Sequence, residues 1–446
     1  MTRRAWRLIA TCMAAAGAVL GATTAHGRLV VMHGYADLTS ALVWIQADAA
    51  GPISVTWRPE RAERDATLTA HAVADNDFVV VARLTGLVPG ERARYRIEGD
   101  GDVRDGSVRA QPDWHDAKLA PPITIAIGSC FFLPDARGRA DYGGGYEIFD
   151  AIAAKQPDFM LWLGDNLYYE REDQFDPASM SARHRRQRAH ASLSRLLTAT
   201  AHVAIWDDHD YGPNDSNGAY ALKGASLALF RRYWANPSYG LPETAGVFGL
   251  ANYGDVDVVL VDGRYHRSHP RMPDGPSKTM FGAAQLAWLK GTLLDARGAI
   301  KIVATGSQWW NGASRFEGLY QYPSEQQDLA RFVLDQRIDG LVFLSGDRHF
   351  GELLRIERPG GYPLYEFTSS PLTSRPWETP DARERDNPQV VEGTLVGKRQ
   401  FGLIRVTGPG NDRRVALESY DQAGTLLWRH ELRARDLRFP RKPASP

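Results

Sequence analysis

The stretch Ile205 to Asp215, "IWDDHDYGPND", places Asp207, Asp208, Asp210 and Asp215 beside His209, directly after an apolar run. Ionised carboxylates at that spacing repel one another, and burying one without a partner is costly or forces its protonation. Polyvalent cations offset such charge: hard oxygen ligands suit Ca²⁺, Mg²⁺, Mn²⁺ or Fe³⁺, and a histidine among them can be a ligand or an acid. Taken alone, the stretch also reads as a solvated acidic loop closed by an Asx-type turn.

The segments that must position these residues decide between the two. From Ile123 onward, apolar strands "ITIAI", "DFMLWL", "HVAIW", "VDVVLV", "KIVAT" and "GLVFL" alternate with helical stretches such as Tyr146 to Ala154 and Gln285 to Asp295, an α/β rhythm. Each strand runs into polar residues: Gly128-Ser129-Cys130, Gly164-Asp165-Asn166, Asp207 to Asp210, Asp262-Gly263-Arg264, Gly306-Ser307-Gln308 and Gly346 to His349. Ligands of open α/β sheets bind beyond the carboxyl ends of the strands, so these clusters are expected to converge.

Before this region, Arg28 to Asp116 alternates in short strands with turn signals, an all-β pattern. Its "LTGLVPGERARYRI" element, with Tyr95, resembles the late strands of fibronectin type III or immunoglobulin-like sandwiches. "QPDWHDAKLAPP", Gln111 to Pro122, reads as a linker, and "QFGLIRVTG" and "RRVALESYDQAGTLLWRHELR" as closing strands of the second region. "WETPDARERDNPQ" reads as a surface loop. "RHRRQRAH", Arg183 to His190, reads as a helix that either presents a solvated basic face or brings Arg186 to a substrate phosphate. Asp262 and Arg264 form a structural ion pair, or Arg264 contacts substrate.

With 43% apolar and 24% charged residues in 446, the chain has the composition of a globular protein of two or three domains. Its formal net charge of zero gives no global basic field for nucleic acid or an anionic membrane, so a phosphate would have to be met locally. Residues 1–27 have a basic start, an apolar run and small residues near the end, the pattern of an export signal, and imply a periplasmic or secreted protein. Thr2-Arg3-Arg4-Ala5-Trp6 resembles a twin-arginine pattern, although the two residues after Trp6 do not follow it. No later segment has the roughly 18 apolar residues that span a bilayer. Cleavage would remove Cys12 and leave Cys130 as the only cysteine, either a buried core thiol or a metal ligand.

"GSC", "WLGDNLYYE", "IWDDHDYGPND" and "SGDRHF", in that order, together with "GAAQLAWLKGTLLDARGAIKIV", resemble the PhoD-type alkaline phosphatase and phosphodiesterase family of calcineurin-like metallophosphoesterases. The resemblance implies a four-layer α/β/β/α sandwich over residues 117–440, behind a small fibronectin III or Ig-like domain over 28–116. It also implies Fe³⁺ and calcium, with zinc or manganese as substitutes at the divalent position. Asp165 matches the carboxylate that bridges the metals, Cys130 and Tyr168 match ligands to iron, and Asp347 and His349 match the last motif. Asp208 matches a ligand to the second metal and His209 the group at the leaving oxygen, while Asn214 and Asp215 complete the divalent site. The implied reaction is in-line attack on phosphorus by a metal-activated hydroxide. Monoester, diester, phospholipid and cell-wall polymer substrates remain open. A non-catalytic binding protein with a structural metal site is the rival class.

Overall fold

The computed structural model describes residues 29–114, 120–134, 139 and 141–440. The expected export signal and the expected boundary between residues 116 and 117 lie outside the described residues.

The first region forms seven strands: β1 (Val30–Ala36), β2 (Ser40–Gln46), β3 (Gly51–Pro59), β4 (Ala66–Ala72), β5 (Val79–Thr85), β6 (Arg92–Gly99) and β7 (Asp102–Arg109). They make two antiparallel sheets, β1-β2-β5 and β4-β3-β6-β7. Their alternation is visible in β6, where Ala93, Tyr95 and Ile97 are buried and the arginines between them are exposed. Val43, Ile45, Val55, Ala82 and Ile97 share one core between the sheets, and the Tyr95 hydroxyl is 2.9 Å from His33 Nε2.

Twelve more strands follow: β8 (Ile123–Gly128), β9 (Phe159–Leu163), β10 (Ala201–Ile205), β11 (Gly249–Tyr253), β12 (Val256–Leu260), β13 (Ile300–Ala304), β14 (Leu341–Ser345), β15 (Glu352–Ile356), β16 (Leu364–Thr368), β17 (Gln400–Thr407), β18 (Arg414–Asp421) and β19 (Leu426–Arg433). They form two six-stranded mixed sheets, β10-β9-β8-β17-β18-β19 and β11-β12-β13-β14-β16-β15. The apolar runs from Ile123 to Leu344 lie in the parallel parts. The closing strands β17, β18 and β19 extend the first sheet antiparallel to β8.

The period of two places successive side chains in different cores. Ile125, Leu161, Leu163 and Ile205 enter a cluster with Val258, Ile302 and Phe343 of the other sheet. Their neighbours Ala126, Trp162 and Ala204 face the helices Ile148–Ala154, Ser194–Ala199 and Lys223–Tyr233. Trp44, Met32 and Val79 of the N-terminal region join that second cluster. Helices Ala283–Asp295 and Pro323–Asp335 bury Leu289, Leu293, Leu329 and Val333 against the other sheet.

Three readings of the sequence change. "RHRRQRAH" does lie on a helix, Pro177–Arg188, but Arg183, His184, Gln187 and Arg188 are buried rather than solvated. Arg183 pairs with Asp173 and Arg185 with Asp77, so carboxylates from other segments take up part of the basic charge. The expected surface loop near Trp377 contains a short helix, Ala382–Arg385, whose Glu384 is buried against Arg348. Asp262 and Arg264 do not pair through their side chains: Asp262 accepts from Trp206 Nε1 and the backbone N–H groups of Val247, Arg264 and Tyr265.

The loops at the strand ends meet closely enough to require glycine. A Cβ on Gly306 would lie 2.3 Å from Asp207 Cγ, and one on Gly346 would lie 2.6 Å from both the Leu163 carbonyl and Ser129 Cβ. Gly346→Ala is therefore expected to destabilise the fold by about 1–3 kcal/mol through overpacking, seen as a lower urea midpoint. Gly291→Ala, in a helix and with open space around the added Cβ, is the control; it should leave stability unchanged or raise it by up to about 1 kcal/mol, so the midpoint should not fall.

Candidate metal centre

The polar ends of β8, β9, β10 and β14 converge. Cys130, Asp165 and His349 present ligand atoms within 4.8 Å of one another, as do Asp165, Asp208 and His209. Asp165 belongs to both groups, so one carboxylate stands between two candidate cation positions. Its Oδ2 accepts from the Tyr168 hydroxyl at 3.2 Å and from Cys130 Sγ at 3.5 Å, and its Oδ1 accepts from the His209 backbone N–H at 3.2 Å. Tyr168 also stands 3.3 Å from His349 Nε2, and its ring stacks 4.2 Å from that of His209. The Arg375 carbonyl lies 2.7 Å from His349 Nδ1 and accepts its proton, which leaves Nε2 unprotonated and facing the site.

Backbone conformation holds this arrangement. Cys130, Asp165, Asp215, Asp347 and His349 all have φ between 51° and 66°, a region that residues other than glycine rarely adopt. Five such residues, three of them lining one cavity, mark a site that the surrounding packing imposes on the chain. Asp210 ties two of the loops together: its carboxylate accepts from the backbone N–H of Asp165, Asn166 and Asp207 and from Asn166 Nδ2. One of the four carboxylates of the opening stretch is thus a bracket for its neighbours.

Arg264, a sequence candidate for substrate contact, is fully enclosed. Its guanidinium lies 2.5 Å from Asp207 and pairs with Glu317, which Arg267 also holds at 2.9 Å. This corrects the substrate assignment, because the Arg264 charge is committed to buried carboxylates. Arg186, the other candidate, lies on an exposed part of its helix and does not line the cavity. Asn214 and Asp215 do line it, and the Asp215 backbone N–H donates to Asp208 Oδ2 at 2.8 Å. Asp207, Glu317 and Asp347 form a third carboxylate group with Asp208. Sequence reasoning missed Glu317, which lies in an irregular segment outside the motifs.

The donor set fits cations. Asp208 Oδ1 and Asn166 Oδ1 are buried without hydrogen-bond partners. Asp165 and Asp347 have no salt bridge among the described residues, whereas Asp207 and Glu317 are matched by arginines. Burial and the Asp208 charge hold the Asp165 carboxyl well above its usual range. Burial with the Asp207 charge pushes Asp347 up to about 8. Burial and Asp347 raise the Cys130 thiol to about 12. The protein alone therefore keeps part of this cluster neutral, and cations would favour its ionised form. An oxygen-rich set with one thiol, one phenol and imidazole suits a hard trivalent or divalent pair.

A family model described as PhoD-like phosphatase matches residues 126–407, well over half of the chain. The chain belongs to the PhoD-like phosphatase family. Its class is that of the phosphoester hydrolases. The structure is similar to one titled "Structure of PhoD", with a TM-score of 0.73 at 18% identity, covering 90% of this chain and 91% of the other. It is also similar to a purple acid phosphatase from yellow lupin (Lupinus luteus) seeds, with a TM-score of 0.67 at 10% identity, covering 94% and 78%. Both likenesses are of fold. Comparison with curated protein sequences gives no match.

The raised carboxyls predict a pH effect in chelated protein. Asp347, pushed up to about 8 by burial and the Asp207 charge, favours the fold while protonated, so its contribution is lost as pH rises through that value. Buried His33 and His202, lowered to about 4 and about 3, act in the opposite sense until the unfolded imidazoles, with a usual value near 6.5, have lost their protons at about pH 7.5. Metal-free protein is thus expected to lose stability between about pH 7.5 and 8.5, by at most about 1.4 kcal/mol per pH unit from this carboxyl. Asp347→Asn should flatten the slope of a melting-temperature series, and added divalent cation should reverse it.

Proposed function

We propose that the protein is an exported, metal-dependent phosphoric-ester hydrolase acting on monoesters or diesters in the periplasm or outside the cell. The observation that carries the metal dependence is Asp165, shared between two ligand groups and without a salt bridge. The proposed architecture is a fibronectin III or Ig-like domain over residues 28–116 and a four-layer α/β/β/α catalytic domain over 117–440. The 1-2-5 and 4-3-6-7 strand orders and the two facing mixed sheets support it.

Cys130, Tyr168, Asp165 and His349 would hold one metal, proposed as ferric iron because a phenolate and a thiolate favour that state. Asp165, Asp208, Asn214 and Asp215 would hold the other, proposed as calcium, with zinc or manganese as substitutes. Bound metals would supply Lewis acidity, neutralising phosphate charge and acidifying water. His209, held by Asp165 through its backbone and by Tyr168 through its ring, faces the cavity and would protonate or hydrogen-bond the leaving oxygen. The cavity has a volume of about 720 Å³, room for an ester with a sizeable substituent on each side of phosphorus.

Elemental analysis of the purified full chain, handled without chelator, is expected to give about one iron per chain together with calcium. The same preparation should hydrolyse p-nitrophenyl phosphate or its bis-aryl diester. Asp165→Asn should lower kcat/KM by more than the roughly 10–100-fold typical of losing an outer partner of a metal ligand. Full activity in that variant would remove Asp165 from the reaction. His209→Ala should lower kcat even when reloaded to full metal content, whereas a fall in melting temperature with kcat intact would make the histidine structural.

A further inference from the structure

Part of the wall of the cavity is aromatic and exposed. Phe175, Phe316 and Trp377 are the exposed phenylalanines and tryptophans among the described residues, and two of them line this cavity in contact with each other. Their rings lie 4.8 Å apart at 68°, an open corner with Phe316 40% and Trp377 38% exposed. Isolated exposed rings are ordinary, but a pair leaning together at the mouth of a polar cavity is a surface that a third ring would cover.

The corner is built, and it is attached to the candidate metal residues. Arg348 lies behind it, its guanidinium 4.6 Å from the Phe316 ring centre and 5.9 Å from that of Trp377. Glu384 neutralises this arginine through a 2.6 Å buried pair, so its flat cation props the rings and is not committed to phosphate. Phe316 precedes Glu317, a member of the carboxylate group with Asp208 and Asp347. The Trp377 backbone N–H donates to the His349 carbonyl at 2.7 Å. Both rings are thus one bond or one hydrogen bond from residues of the site, within reach of a substituent on a phosphate held there.

We propose that Phe316 and Trp377 form a subsite for a planar aromatic group esterified to the phosphate, with Arg348 as its positioning residue. The proposal deepens the phosphate-ester reading above and rests on it. A ring entering the corner stacks on one face and meets the edge of the other, so esters carrying an aryl group or a nucleobase bind more tightly than their alkyl or sugar counterparts. The two rings contact the substituent only, leaving the affinity for bare phosphate to the metal centre.

The test compares phenylphosphonate with methylphosphonate, and adenosine 5′-monophosphate with ribose 5-phosphate, by calorimetry on the metal-loaded full chain. At least one aromatic member is expected to bind about tenfold more tightly than its partner, and the pair that shows it distinguishes an aryl from a nucleobase source. Phe316→Leu and Trp377→Leu keep apolar volume without the ring and should bring that ratio close to one, while Trp377→Phe should restore most of it. Inorganic phosphate should bind all of these variants as it binds the parent. Equal binding of both members in both pairs overturns the subsite, as does full preference in the leucine variants. Parallel loss of phosphate affinity also overturns it, by assigning the rings to support of the metal loops. Preference without any turnover would sink the hydrolase reading and leave the subsite standing, whereas turnover without preference would do the reverse.

Discussion

Uncompensated negative charge in a water-poor place is the constraint from which the rest of this molecule follows. Asp165, Asp207, Asp208, Asp210, Glu317 and Asp347 are brought to the ends of the two sheets, all but Asp347 nearly inaccessible to water. The chain answers in three ways. Arg264 and Arg267 neutralise Asp207 and Glu317, and backbone N–H groups satisfy Asp210. The third set is compensated least: Asp165 and Asp347 have no arginine partner among the described residues, and Asp208 Oδ1 meets Arg264 only at 3.6 Å, without a hydrogen bond, so that is where external cations fit best. Charge compensation thus divides one acidic cluster into a scaffold and a receptor.

Directing that many donors inward shapes the backbone. Residues in the left-handed region cost of order 1–3 kcal/mol each, and persist only where packing over-determines them. Here the over-determination comes from glycines that let loops touch, from Asp210 joining the β9 and β10 loops, and from a core shared by both sheets. The same crowding means that a side chain in this region seldom has one function. His349 presents Nε2 to the site, anchors Arg375 through Nδ1 and receives the backbone of Trp377.

Much of this was legible in the residues. Apolar runs that end in polar residues locate strand ends, and the α/β rhythm makes those ends converge, while the motif resemblance to the PhoD-type family singled out Cys130, Asp165, Asp208, His209, Asp347 and His349 among them. Glu317 could not be found in this way: it follows Phe316 in an irregular segment, and only the ion pairs of Arg264 and Arg267 bring it in. Arg264 was misplaced because an arginine after a strand near acidic residues looks the same in sequence whether it meets a substrate or a buried carboxylate. The basic run Arg183 to His190 misled for a related reason, since its partners Asp173 and Asp77 lie in separate segments.

Those distant partners give the N-terminal sheets a part in the site. Asp77, in the turn before β5, accepts from Arg185, Ser181 and the Tyr233 hydroxyl. It thereby fixes the helix Pro177–Arg188, on which Gln187 donates to the carbonyl of Asn166. Asn166 follows Asp165, whose strained backbone holds the shared carboxylate. A path of hydrogen bonds and ion pairs therefore runs from a β-turn of the first region to the residue between the two candidate cations. The first region can bear on the site in this way, because the position of Asp165 depends on what its neighbours are tied to.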